Sequence, residues 1–273
     1  MDWFSVCIKD ETGKPVFVEF EEGSGLLVHK YSNEWNVWSD PLCDRSKSAD
    51  KIIEFSDKVL DGQTKKIWCT DVSDNVRPKI IAREILKVSE VDYSLFWPVL
   101  KMAEYVPALP GSHFKELRNA KNKFYKENKV RIVSPNTIEK EALHQIVDNW
   151  KDVVLKKQKE EDIYYLKYQK AINNGFKGFL TARVFIVDDK PVGFNAGYEV
   201  PNSPGRFTGA IGIHDYSVND LGTVLWLEDL DWIKNAEYKE FDMQGDEGDR
   251  LKLKLRFGAV IERKTDTFSV MKK

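Results

Sequence analysis

The sequence predicts a mixed α/β protein built from two related units. Three observations support this prediction. The 273-residue chain is 42% hydrophobic, strand-like and helix-like patterns alternate along it, and its first half repeats the order of the second half in shortened form. This apolar content is ample for one large core or two ordinary ones. Eight tryptophans also argue against a disordered chain.

The first half begins with short strands. Alternating β-formers between the turn signals TGKP, EGSG and SNE predict four of them, at VCIKDE, PVFVEFEE, GLLVHKY and WNVWSD. A helix over 49–60, a strand at KKIWCTDV and a second helix over 76–86 follow. An extended stretch, KVSEVDYSLFWPVLKMAEYV, closes the first unit.

The second half repeats this alternation at greater length. The residues LPGS at 109–112 predict a turn, with Ser112 as the N-cap of a helix over 113–127. The remaining predicted elements are a strand at KVRIVSP, helices over 138–157 and 161–173, a hairpin turned at 188–191, a strand at RFTGAIGIH, a helix over 222–236, a strand at KEFDMQG, a helix over 248–256 and two short strands, VIERK and TFSVM.

Charge and cysteine content narrow the function classes. The 42 lysines and arginines nearly balance 44 acidic residues, so a net charge of −2 gives no general attraction to nucleic acid or anionic lipid. Three widely separated cysteines favour neither a disulfide framework nor a zinc site, and they predict a reduced, cytoplasmic setting. We expect no secretion signal at the amino terminus. No stretch reaches the roughly 20 apolar residues of a membrane-spanning helix.

The densest positive charge lies in the segment LPGSHFKELRNAKNKFYKENKVRI. Its apolar residues Phe114, Leu117 and Phe124 recur at the spacing of one buried helix face. The segment indicates either a solvated helix face or a surface that pairs with phosphates, from RNA or from a phospholipid headgroup. Its seven basic residues are Lys115, Arg118, Lys121, Lys123, Lys126, Lys129 and Arg131.

A second candidate segment begins with His214 and Asp215, at the end of a predicted strand. The four histidines of the chain form no metal-binding spacing. We keep this pair as candidate proton acceptors because the strand end borders the expected cleft. Gly222, at the start of the next helix, would let backbone N–H groups approach an anion or a carbonyl oxygen, although an ordinary loop glycine fits the same pattern.

The run from Asp242 to Arg256 places four acidic residues before four basic ones. On a helix, Arg250 and Lys254 would share one face, and Lys252 and Arg256 another. This pattern indicates either a charged site or a helix whose charges merely complement its dipole.

Together these segments resemble the family built around the C-terminal domain of phosphatidylglycerol lysyltransferase. More distantly, they resemble the Fem-type aminoacyl transferases within the GNAT superfamily. The resemblance is carried by LPGSHFKELRNAKNKFYKE, by HDYSVNDLGT before a Trp-containing helix, and by DEGDRLKLKLRFGA. It implies tandem GNAT-like acyltransferase domains in an α/β fold. We expect a shortened N-terminal domain over 1–110, a basic connecting helix over 111–128 and a C-terminal domain over 129–273.

The resemblance also implies transfer of an amino acid from aminoacyl-tRNA to an amine or hydroxyl acceptor. The acceptor would be a small amine or a lipid headgroup, and the tRNA would bind through the basic helix over 113–131. The expected catalytic residues are His214, Asp215, Asp242 and Lys254. The expected substrate-binding residues are Arg118, Asn119, Lys121, Gly222, Arg256 and Phe257.

The expected donor is aminoacyl-tRNA rather than coenzyme A. The spaced glycines that hold a pyrophosphate in acetyltransferases are absent from VNDLGT, so the phosphates would lack their usual amide nest. Two alternatives stay open from the sequence. One is an N-acyltransferase that uses acyl-coenzyme A. The other is a non-catalytic double-GNAT module that binds RNA or a protein partner.

Overall fold

The computed structural model describes residues 13–21, 23–31, 34–61, 63–158, 165–201 and 203–273. The strand predicted at VCIKDE lies outside these residues. Residues 161–164, at the start of the helix predicted over 161–173, also lie outside them. The strands are β1 (Lys14–Glu21), β2 (Ser24–Lys30), β3 (Trp35–Trp38), β4 (Lys66–Ser73), β5 (Leu86–Val88), β6 (Tyr93–Lys101), β7 (Val130–Val133), β8 (Thr181–Val187), β9 (Lys190–Glu199), β10 (Arg206–His214), β11 (Glu240–Asp242) and β12 (Val260–Lys272). The helices are α1 (Ser48–Val59), α2 (Val76–Ala82), α3 (Lys115–Glu127), α4 (Lys140–Gln158), α5 (Leu166–Asn173), α6 (Leu221–Asn235) and α7 (Gly248–Leu255).

The first compact unit comprises residues 1–97, 245–251 and 261–273. Its strand order is β1-β2-β3-β4-β12-β6, and β5 also pairs with β12. The neighbouring strands β3 and β4 are parallel, and α1 connects them. Helix α1 buries Ile52 and Phe55 in a core that includes Ile67 and Phe268. Burial of this apolar stripe is the main force that holds the helix on the sheet.

The second compact unit comprises residues 98–244 and 252–260. Its strand order is β6-β11-β10-β9-β8-β7. The pair β10 and β11 is parallel and is connected by α6, whereas the other described pairs of this sheet are antiparallel. Helix α6 buries Leu227 and Leu230 with Phe207 and Phe241 in one core cluster.

Each unit therefore contains one parallel strand pair joined by a helix. This repetition agrees with the prediction of two related units in a mixed α/β fold. The compact units do not follow the predicted divisions at 1–110, 111–128 and 129–273, because most of β12 packs in the first unit and α3 packs in the second. Those divisions describe a repeat along the chain, and as such they stay a prediction.

Three predicted elements differ in the structure. Ser112 does not cap α3, because the helix begins at Lys115 and its N-cap residue is Phe114. The second predicted helix ends at Ala82, and Leu86–Val88 instead joins β12 as strand β5. VIERK and TFSVM form one continuous strand, β12, whose irregularity between Asp266 and Phe268 is a bulge rather than a break.

Candidate active site in the second unit

In the second unit, the parallel strands β10 and β11 pair over only three residues, and we call the place where this pairing ends the fork. The two strands pair from Arg206 opposite Glu240 to Thr208 opposite Asp242. Strand β10 then continues for six more residues to His214, still paired with β9, whereas β11 ends. The pairing with β9 shifts register between Gly209 and Ile211, and such a bulge bends the strand locally.

The pairing with β10 ends at Asp242, while the chain after β11 keeps a hydrogen bond to β6. The backbone N–H of Met243 donates to the carbonyl of Pro98, so it stays with β6. Gln244 then takes a left-handed conformation with φ of 63°. Its N–H donates to Oδ1 of Asp242 at 2.9 Å. A side-chain-capped turn of this kind ends a strand because it uses the backbone donor that a ladder would need.

Lys254 is held at the base of this fork. Its side chain is only 7% exposed, and its ammonium group donates to the carbonyl of Gln244 at 3.2 Å. Since Gln244 also donates to Asp242, its backbone joins two of the four predicted catalytic residues. Arg206 lies on the other side of Asp242, with Nε 3.5 Å from Oδ2. A buried ammonium group can stabilise a developing oxyanion. A carboxylate can accept a proton from a nucleophile.

The other two predicted catalytic residues lie at the far end of β10. His214 is six residues beyond Thr208, which corresponds to about 20 Å along an extended strand. The structure therefore does not bring His214 and Asp215 together with Asp242 and Lys254 at one reacting atom. The predicted catalytic set divides into two clusters.

The His214 cluster is built around a close contact with Gly222. A Cβ atom added to Gly222 would lie 2.9 Å from both Cε1 and Nε2 of His214, so a larger residue there would require the ring to shift. Tyr216 packs on the same imidazole, with ring centroids 4.6 Å apart. Burial lowers the pKa of His214, and the neighbouring Asp215 opposes this shift. The imidazole is consequently neutral at neutral pH.

Asp215 lines an acidic groove beside this cluster. Its Oδ1 accepts from the N–H of Ser217 at 2.8 Å, which orders the loop before α6. The groove has a volume of about 540 Å³. Its charged lining consists of one lysine and four acids, namely Lys190, Glu127, Asp188, Asp215 and Asp220. Such a lining repels phosphate groups.

The predicted substrate-binding residues of α3 have different surroundings. Nη1 of Arg118 donates to the carbonyls of Leu109 and Gly111 and closes the turn before the helix. Lys121 forms ion pairs with Asp231 at 2.6 Å and with Glu228 at 3.7 Å, both on α6. Asn119 is exposed to solvent. The side chains of Arg118 and Lys121 thus hold the fold together.

The two predicted substrate-binding residues after α7 are also separated. Arg256 pairs with Glu116 at 2.6 Å on the surface. Phe257 is 1% exposed and packs with Trp226 in the core, so its ring cannot line an open site in this conformation. The turn after α7 explains this burial. Gly258, which follows Phe257, has a φ of 93° and lies next to Phe114 and Leu100.

We did not predict two further polar features of the second unit from the sequence. One is Gln244, whose left-handed backbone joins Asp242 to Lys254 and whose Nε2 is buried without a hydrogen-bond partner among the described residues. The other is the half-buried ion pair of Asp229 on α6 and Arg183 on β8, and Asn195 also donates to Asp229. The signal for the second pair is an arginine within the apolar strand TARVFIV.

Comparisons with known proteins bear on the fold. No family model matches the chain, and no curated protein matches its sequence. A conserved protein of unknown function from Bacteroides thetaiotaomicron superposes with a TM-score of 0.73 at 17% identity, over 100% of this chain and 90% of that one. The C-terminal domain of a putative lysylphosphatidylglycerol synthetase from Agrobacterium fabrum gives 0.63 at 13% identity, over 96% and 84%.

A tandem GNAT protein from the clavulanic acid biosynthesis pathway superposes with a TM-score of 0.55 at 12% identity, over 97% of this chain and 85% of that one. These likenesses confirm the predicted fold class, a tandem GNAT-like α/β fold of the kind found in acyltransferases. They also agree with the fold expected from the resemblance to lysyltransferase domains. Among the described helices, none has the length and apolar character needed to cross a membrane.

Proposed function

We propose that this chain is an acyltransferase that moves an aminoacyl group from aminoacyl-tRNA to an amine or hydroxyl acceptor. The observation that carries the proposal is the fork between β10 and β11, with buried Lys254 and Asp242 joined at its base through Gln244. An extended acyl group can enter between separated strands, and its carbonyl then meets a fixed ammonium group. The acyltransferase fold supports the same reaction class.

The acidic groove argues for a donor other than coenzyme A. In the second unit, the loop before α6 carries Asp215 and Asp220, and Asp188 and Glu127 line the same groove. A pyrophosphate placed at the start of α6 would meet these carboxylates. Aminoacyl-tRNA carries its activated ester on a ribose, so no pyrophosphate has to lie near the acyl group.

The proposed step is direct attack on the ester. The acceptor nitrogen or oxygen forms a bond to the acyl carbon, and the bond from that carbon to the ribose oxygen breaks. Lys254 stabilises the oxyanion on the carbonyl oxygen. Asp242 accepts the proton that the acceptor loses and returns it to the departing ribose hydroxyl. No covalent enzyme intermediate is needed, because the ester is already activated.

The test is transfer of a radiolabelled amino acid from charged tRNA to a panel of amines and lipid headgroups by the purified protein. Lys254→Met should lower kcat by about 100-fold or more, as the loss of an oxyanion donor does elsewhere. Asp242→Asn keeps the shape of the side chain and should also lower kcat. The matched control is Lys252→Met, on the exposed face of the same helix. Circular dichroism and urea unfolding establish that each variant folds.

The outcomes separate the three functions considered. Transfer that depends on Lys254 and Asp242 supports the proposal. Transfer from acyl-coenzyme A but not from charged tRNA would contradict the assignment of aminoacyl-tRNA as the donor. If the folded Lys254→Met and Asp242→Asn variants keep the wild-type kcat, these two residues are not catalytic. Binding of tRNA without turnover on any acceptor would favour the non-catalytic module.

A further inference from the structure

Helix α3 presents two different sets of cations. The first set already has hydrogen-bond or ion-pair partners within the fold. Lys121 pairs with Asp231 and Glu228, and Arg118 is held by two backbone carbonyls. Just beyond the helix, Lys129 and Arg131 both pair with Asp189, at 3.6 and 3.3 Å. These four cations are poorly placed to pair with an external phosphate.

The second set consists of Lys115, Lys123 and Lys126. All three are exposed, and among the described residues they form no ion pair with a carboxylate. At 100° per residue they fall within about 80° of one another on the helix, opposite the buried Leu117 and Phe124. The eleven helical steps from Lys115 to Lys126 correspond to about 16 Å along the axis.

The same face carries two amides and no acid. Asn119 and Asn122 lie between the lysines, and both are exposed. The acidic residues of the helix, Glu116 and Glu127, lie to one side, and Glu116 is paired with Arg256. A face of three lysines and two asparagines offers charge and hydrogen-bond donors to phosphate and sugar oxygens.

The composition of this face favours a nucleic acid over a membrane. A helix that lies in a lipid surface needs an apolar face to bury among the acyl chains. The apolar face of α3 is instead committed to the protein core, through Leu117 and Phe124. The exposed face therefore has nothing to insert.

We infer that the face formed by Lys115, Asn119, Asn122, Lys123 and Lys126 docks the phosphate backbone of RNA. The choice of RNA rests on the proposed function, in which the donor is aminoacyl-tRNA. Of the cations in the basic helix, only these three lysines are then expected to contact RNA. Arg118 and Lys121 have the different task of holding that helix in place.

The test measures binding of a fluorescent, uncharged tRNA transcript by anisotropy between 50 and 300 mM salt. Each lost phosphate contact should reduce the slope of log affinity against log salt by about 0.7 to 0.9. The triple variant Lys115→Ala, Lys123→Ala, Lys126→Ala should therefore flatten the slope by about 2 and weaken binding roughly 100-fold at 0.1 M salt. The matched control is Lys79→Ala, Lys87→Ala, Lys177→Ala, three exposed lysines outside α3.

The inference is overturned if the α3 triple variant keeps the wild-type slope, or if the control triple loses as much affinity. A second arm uses vesicles of phosphatidylcholine and phosphatidylglycerol in a flotation assay. Loss of vesicle binding with unchanged tRNA binding in the α3 variant would assign the face to a membrane and overturn the RNA assignment.

A third arm separates this inference from the proposed function. Transfer is measured from charged tRNA and from a small aminoacyl ester that carries no RNA. The inference predicts that the α3 triple variant raises KM for charged tRNA and leaves transfer from the small ester unchanged. If the wild type transfers from neither donor but binds tRNA through these lysines, the proposed function fails and the docking surface stands.

Discussion

At one end of the candidate site, the absence of a side chain at Gly222 leaves room for the imidazole of His214. The imidazole occupies the space that a Cβ at Gly222 would fill, at 2.9 Å from two ring atoms. Burial under this contact is also the largest cause of the lowered pKa of His214. The glycine thus serves the packing of a neutral histidine, rather than offering an open oxyanion hole as its position in the sequence indicated.

Gly222→Ala should lower the free energy of unfolding by about 1–3 kcal/mol, because the new methyl group displaces the His214 ring. The matched control is Gly212→Ala, where an added Cβ meets no atom within 4 Å. Urea denaturation of both variants measures the difference. The double variant Gly222→Ala, His214→Ala should unfold like His214→Ala alone. A Gly222→Ala variant as stable as Gly212→Ala contradicts this account.

Arg118 is assigned to the fold rather than to a substrate. Arg118→Ala should lower the free energy of unfolding by about 1–3 kcal/mol, because the carbonyls of Leu109 and Gly111 lose their donor. The salt dependence of tRNA binding should keep its slope. Urea denaturation and anisotropy check the two halves of this prediction. A flattened slope with unchanged stability would return Arg118 to the role of a phosphate ligand.

At the scale of elements, α6 is anchored to the sheet by the half-buried carboxylate of Asp229. Asp229 pairs with Arg183 on β8 and accepts from Asn195 on β9 at 2.6 Å. Burial raises the pKa of Asp229 to about 6, although Arg183 and Asn195 oppose the shift. Desolvation outweighs the ion pair here, as is common for buried charges.

This shift predicts a pH dependence with a definite sign. The pKa of Asp229 is higher in the folded chain than its ordinary value of 3.8, so the folded state holds the proton more tightly between pH 4 and 6. The stabilising contribution of the protonated group is complete below pH 3.8 and is lost as the pH rises through about 6. Relative to Asp229→Asn, the wild type should lose about 3 kcal/mol of unfolding free energy over that window.

Urea denaturation of the wild type and of Asp229→Asn at pH 4, 5, 6 and 7 checks this prediction. The comparison isolates one group, because every other titrating residue is common to the two proteins. A difference that stays flat with pH, or that grows in favour of the wild type as the pH rises, contradicts the assignment.

Elements were more predictable from the sequence than the contacts between them. The periodicity of α1 and of α6 and the turn signal between β8 and β9 are local, so their positions could be predicted closely. The partner of Lys121 could not, because Asp231 is 110 residues further along the chain. Phe257 follows a charged helix and looks accessible in sequence, but the turn at Gly258 carries it into the core.

The candidate site was predictable in its residues and not in its geometry. The run from Asp242 to Arg256 and the resemblance both indicated Lys254. The division of the catalytic set depends on the strand register, in which Thr208 rather than His214 lies opposite Asp242. Register across a parallel pair is fixed by packing on both faces and leaves no local mark in the sequence.

At the scale of the whole molecule, the two helix-linked strand pairs differ at their ends. In the first unit, β3 and β4 stay together beyond the pair of Trp38 and Thr70. The N–H of Ser39 donates to the carbonyl of Thr70, and Asp40 accepts from the N–H of Ser73 at 2.8 Å. In the second unit the pairing of the corresponding strands ends at Thr208 and Asp242, at the fork. This difference is the reason why the proposed function places the reacting groups in the second unit.

Asp40→Ala tests this difference. The variant should lower the free energy of unfolding by about 1–3 kcal/mol, because the N–H and hydroxyl of Ser73 lose their acceptor. The kcat of aminoacyl transfer by the folded fraction should stay within about twofold of the wild type, since the first unit contributes no reacting group. A large loss of kcat without loss of stability would place chemistry in the first unit.

The most direct measurement of the central claim is a crystal structure with a 3′-aminoacylamino-adenosine, in which an amide replaces the labile ester. The account predicts that the acyl carbonyl lies in the fork between β10 and β11, within hydrogen-bond distance of the ammonium group of Lys254. A carbonyl placed beside His214 and Gly222, or a compound bound outside the second unit, would contradict it.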